Sequence, residues 1–145
     1  MTLQSWAANG WLRTHQTSRQ EVADLLRIVE RDLCDANGVV SPDWRFGIAY
    51  NAALKLCTIL LYASGYRAEK TLQHYRTIQA LTLVLGVGSK GDAEYLDTCR
   101  IKRNRAEYDQ VGVVSDSEAR ELVAFVIELR AKVIAWLKEF NGDLI

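Results

Sequence analysis

Residues 115–140 read SDSEARELVAFVIELRAKVIAWLKEF. Leu122, Phe125, Val126, Leu129, Val133, Trp136, Leu137 and Phe140 recur at spacings of one, three and four, which gathers them on one helical face. Ser115 and Glu118 have the spacing of a capping box, in which each side chain satisfies a backbone N–H of the first turn. The stretch predicts a long amphipathic helix.

The same grammar recurs upstream. Ser18 with Glu21 forms a second capping-box pattern, and Val22, Leu25, Leu26, Val29 and Leu33 follow at helical spacing. Asn37-Gly38 predicts a left-handed C-cap for this helix. Ser41-Pro42 opens the next one, with Ser as cap and Pro, the sole proline, at the first helical position. From Phe46 to Ala63 the chain is apolar on nearly all sides, which predicts a helix surrounded by partners and ended by Gly65. Its apolar surface exceeds what one four-helix core needs, which points to a homodimer.

Residues 66–73 are polar and predict a loop, as does Val87–Gly91. Between them Tyr75, Ile78, Leu81, Thr82 and Leu85 mark a shorter helix, and Tyr95, Leu96, Cys99, Arg103 and Ala106 mark another after it. Trp6 and Trp11, flanking Gly10, predict a short N-terminal turn packed onto the rest. No strand run of convincing length occurs, since Val111–Val114 is short and broken by Gly112. The predicted fold is all-α: one domain over 1–145, an up-down antiparallel bundle of four long helices plus one or two short ones.

Composition narrows the function classes. With 18 basic and 18 acidic side chains the net charge is zero, so a nucleic-acid contact must come from a local cluster. Arg100, Lys102, Arg103 and Arg105 supply one. The widely spaced Cys34, Cys57 and Cys99 predict buried free thiols in a reducing compartment. No secretory pattern is present and Ile48–Ala63 is too short to span a bilayer, so the expectation is a cytoplasmic protein with no membrane contact. Neither a glycine-rich phosphate loop nor a His/Cys/carboxylate metal spacing occurs, and no cofactor or metal is expected.

The informative stretch is Arg100-Ile101-Lys102-Arg103-Asn104-Arg105-Ala106-Glu107-Tyr108-Asp109. With the helix order and the alanine-rich Ala49-Tyr50-Asn51-Ala52-Ala53-Leu54, it resembles the HEPN family, the higher eukaryotes and prokaryotes nucleotide-binding domain. The family's signature is an Arg, a polar residue directly after it, and a His further on, placed just before the final helix. Arg103 and Asn104 match the first two. With four residues between, the His position holds Tyr108, and Asp109 and Gln110 follow it.

The resemblance implies a dimer whose two signatures meet in one cleft, and in catalytic members a metal-independent endoribonuclease. There the Arg steadies the phosphate and the His serves acid–base transfer. Many such members are toxins paired with a nucleotidyltransferase-type antitoxin. Tyrosine, with an ordinary pKa of about 10, is a poor general base at neutral pH, yet it can donate to phosphate or stack on a base. Arg103 and Tyr108 are the candidate catalytic pair. Asn104, Arg100, Lys102 and Arg105 are candidate RNA or nucleotide contacts, and His74 and Asp109 are accessory candidates. Two readings stay open: a binding domain with weak or altered ribonuclease activity, or a catalytically silent module that partners a nucleotidyltransferase or another antitoxin. Arg103 and Glu107, four apart, could also simply pair on one helix face.

Overall fold

The computed structural model describes residues 1–108 and 110–145. Its elements in order are α1 (Leu3–Ala8), β1 (Leu12–Thr14), α2 (Arg19–Ala36), α3 (Pro42–Ala63), β2 (Tyr66–Ala68), α4 (Gln73–Leu85), α5 (Lys90–Tyr108) and α6 (Asp116–Phe140). The protein is thus predominantly helical, with four long helices (α2, α3, α5 and α6) and the shorter α1 and α4.

Helix α3 is the axis. It packs against α2, α4, α5 and α6. Ala49, Ala52, Ala53, Leu56 and Ile59 are fully buried along it, and the alanines let neighbouring backbones approach closely. By length and composition α3 could cross a membrane, but most of it lies inside this core. Its apolar surplus, the sequence argument for a dimer, is therefore taken up within the chain.

The caps explain where the helices begin. Ser115 and Glu118 form the full reciprocal box at α6. Ser41 accepts from the Trp44 N–H, with Pro42 behind it. At α2 only half of the expected box forms. Ser18 accepts from the Glu21 N–H, but the Glu21 carboxylate turns to the Thr17 hydroxyl and His15 Nε2, each at 2.7 Å.

Several expectations need correction. Residues 66–68 are not loop: β2 pairs antiparallel with β1, Leu12 opposite Ala68 and Thr14 opposite Tyr66. Val87–Ser89 is a 3₁₀ turn, and α5 starts directly at Lys90. Asn37 is right-handed at φ −85°, and Gly38 is not left-handed, so α2 lacks the predicted cap. The Arg45 side chain does that work, donating from Nε to the Ala36 carbonyl at 2.7 Å and from Nη2 to the Gly38 carbonyl at 2.8 Å. Cys57 and Cys99 are buried, but Cys34 is exposed. Trp44 is exposed as well, whereas Trp6 and Trp11 pack edge to face beside a small second core of Leu12, Leu61, Ala68 and Ala80.

Candidate functional site

The face of α5 toward α3 and α4 carries Arg100, Arg103, Asn104 and Glu107. Arg103 Nη2 lies 3.2 Å from Glu107 Oε2, and Nη1 donates to Asn104 Oδ1 at 3.3 Å. The guanidinium carbon sits 5.5 Å from the centre of the Tyr50 ring. Arg103 Nε is buried with no hydrogen-bond partner among the described residues. Glu107 fits because α3 presents Gly47 there: a Cβ at Gly47 would stand 3.3 Å from Glu107 Oε1.

Beneath this pair lies Tyr50, 1% exposed, with a hydroxyl that also has no partner among the described residues. Burial pushes its pKa well above the ordinary tyrosine value, against the opposing pull of Arg103 and Arg100, so the hydroxyl stays protonated. Its ring centre is 6.3 Å from that of His74, in the first turn of α4. Loss of solvent lowers the His74 pKa below its ordinary 6.5, and the positive charges of Arg103, Lys55 and Arg100 lower it further. At neutral pH the imidazole is uncharged.

Two recesses meet at Gln73 and His74. The inner one, about 170 Å³, is lined in part by Lys55, Thr58, Tyr62 and Arg67. The outer one, about 330 Å³, is bounded by Lys70, Tyr75, Arg100 and Asn104. Arg100 is neutralised by Asp97 at 2.8 Å and rests near the Tyr75 ring. Lys55, Arg67 and Lys70 make no ion pair among the described residues. Leu72, before α4, is left-handed at φ 54°, a conformation costing about 1–2 kcal/mol for an L residue. No side chain caps the first turn of α4, and no acidic residue lies in it.

The basic cluster of α5 therefore divides. Arg100, Arg103 and Asn104 join His74 at this site. Lys102 turns to α6, where it holds the Glu118 carboxylate and lowers its pKa. Arg105 is exposed and donates to Gln110 Oε1 at 3.4 Å. Tyr108, 74% exposed, ends α5. The helix runs unbroken from Arg103 to Tyr108, so at roughly 100° per residue the two project about 140° apart. Within one chain they do not meet. Asp109 lies outside the described residues.

Sequence reasoning missed Tyr50, Lys55, Arg67 and Lys70. The available signal was Arg67 and Lys70 in the short segment just before His74, and Lys55 as the lone charged residue in the apolar stretch from Phe46 to Ala63. Thiol chemistry is disfavoured in the core: burial pushes Cys57 up to about 12 and Cys99 up to about 11. Among the described residues no three His, Cys, Asp or Glu side chains gather as a metal site. No family model matches the chain, and no curated protein or solved structure matches it.

Proposed function

We propose that this chain is a HEPN-like domain that binds RNA or a nucleotide on the face formed by Arg100, Arg103, Asn104 and His74. The observation that carries this reading is the concentration of positive charge around His74, where Lys55, Arg100 and Arg103 all act on one imidazole. A net-neutral chain that gathers cations at one recess offers a local field to a phosphate. Arg103 is charged at any physiological pH, and its fork can hold two phosphate oxygens once Glu107 is displaced. Asn104 and Tyr75 add a hydrogen-bonding amide and an aromatic face beside it.

On this reading binding belongs to one chain and cleavage to two. Arg103 and Tyr108 act on one phosphate only when a second copy supplies its Tyr108 across a homodimer cleft. A metal-independent ribonuclease of the toxin–antitoxin kind therefore stands or falls with the dimer.

The test is a fluorescent-RNA binding titration beside a cleavage assay and light scattering. Arg103→Ala should weaken binding on the order of tenfold, the loss of one charge-assisted contact. Tyr108→Phe should leave binding within about threefold, the scale of one neutral hydrogen bond, and stop any turnover. A monomer at micromolar concentration removes the cleavage part. If the wild type binds neither RNA nor nucleotide, the chain is instead a silent module for a nucleotidyltransferase or other antitoxin.

A further inference from the structure

We propose that the double recess at the start of α4 is the seat of a terminal phosphate, a phosphomonoester such as ends an RNA chain or a nucleotide. The proposal deepens the function above, resting on it only in taking RNA or nucleotide as the carrier. Three elements each deliver a cation that forms no ion pair among the described residues: Lys55 from α3, Arg67 from β2 and Lys70 from the loop before α4. A phosphodiester within a chain carries one negative charge, whereas a terminal phosphate carries about 1.5 to 2 at neutral pH. The surplus matches the second.

Shape points the same way. An inner recess of about 170 Å³ admits a phosphate attached through one ester oxygen, and leaves the outer recess for the single chain that follows. No side chain caps the first turn of α4, whose Gln73 and His74 line both recesses, so the positive end of its dipole adds to the field there.

Binding should also move a proton. The charged or titratable groups around His74 are Lys55, Tyr50 and Tyr62 from α3, Tyr75 from α4, Arg100 and Arg103 from α5, Arg67 from β2 and Lys70 from the loop. Apart from the three tyrosines all are cationic; loss of solvent keeps the imidazole neutral, and Arg103, Lys55 and Arg100 reinforce it. A dianion reverses that field, so His74 takes up a proton as the phosphate enters, and affinity rises as pH falls from neutrality toward 6.5.

The experiment compares one short fluorescent RNA carrying a terminal phosphate or a terminal hydroxyl, by anisotropy. The phosphate should tighten binding on the order of tenfold. Arg67→Ala, at an exposed position of the inner recess that tolerates truncation, should abolish that preference and leave hydroxyl-ended RNA within about twofold. Lys138→Ala, an exposed cation on α6, should change neither and controls for net charge. Equal affinity for both ends overturns the phosphate seat and leaves the RNA-binding reading standing. If no RNA binds, yet inorganic phosphate or a nucleoside monophosphate shifts the His74 ring resonance, assigned with His74→Gln, the seat stands and the RNA reading fails. No response to any phosphate probe overturns both.

Discussion

Arg45 and Arg103 both reach from one helix toward another, and they end in opposite conditions. Arg45 is buried, and each of its nitrogens has a partner: the Ala36 carbonyl, the Gly38 carbonyl and, at 3.3 Å, Asp116 Oδ1 at the start of α6. It closes the end of α2 and ties α6 to it. Arg103 rests on the Tyr50 ring, holds a carboxylate from its own helix, and leaves Nε without a partner among the described residues. The first arginine is completed by the fold. The second is accommodated by it, with polar capacity left over, and that difference separates a structural cation from one available to a ligand.

Stability measurements can break this contrast. Arg45→Ala should cost about 3 kcal/mol in urea unfolding, since it strips two carbonyls of charged donors inside the protein. Arg103→Ala should cost less than about 1 kcal/mol, because its ion pair is partly solvated. Equal losses would erase the distinction.

Tyr50→Phe sharpens it from below. Removing a buried hydroxyl that has no partner should stabilise the free protein by about 1 kcal/mol. A loss of stability would mean that the hydroxyl is satisfied after all. Gly47→Ala should give a smaller gain, about 0.5 kcal/mol: alanine favours helix, but its Cβ crowds Glu107 Oε1. The displaced carboxylate frees Arg103, so RNA should bind the variant more tightly.

The smallest expected effect is in pH. The folded His74 pKa lies below its unfolded value near 6.5, so its contribution to stability is complete above 6.5 and lost as pH falls through the folded value. The urea midpoint of the wild type should fall more between pH 7.5 and 5.5 than that of His74→Gln. Parallel curves would show that His74 is not held neutral.

What the sequence made legible was local. The Ser115/Glu118 box, Pro42 behind Ser41 and the stripe of α6 are written in residues a few places apart, and the helices they predict are present. The end of α2 misled because its cap comes from Arg45, nine residues beyond Ala36 and across a turn. The β1–β2 pair was invisible because three residues carry no periodicity and their partner is remote. For the candidate site, Arg100, Arg103 and Asn104 were read directly from one helix. Lys55, Arg67 and Lys70 were not, since only the folding of α3, β2 and the following loop onto α4 brings them to the two adjoining recesses.

That pairing of β1 with β2 also sets an order of events. Arg13 and Glu69, bonded across it, lie 56 residues apart, so the chain closes a long loop for two three-residue strands. Two three-residue strands and a small core return little for that closure, so this corner is expected to open ahead of the bundle. The N-terminal segment works as a latch: its small core, with Leu12 and Ala68, is distinct from the main one. Its opening is expected to release the loop bearing Lys70 before the helices unfold. Amide exchange at Leu12–Thr14 and Tyr66–Ala68 should therefore run ahead of the bundle, and a ligand that grips Lys70 and Arg67 should slow it.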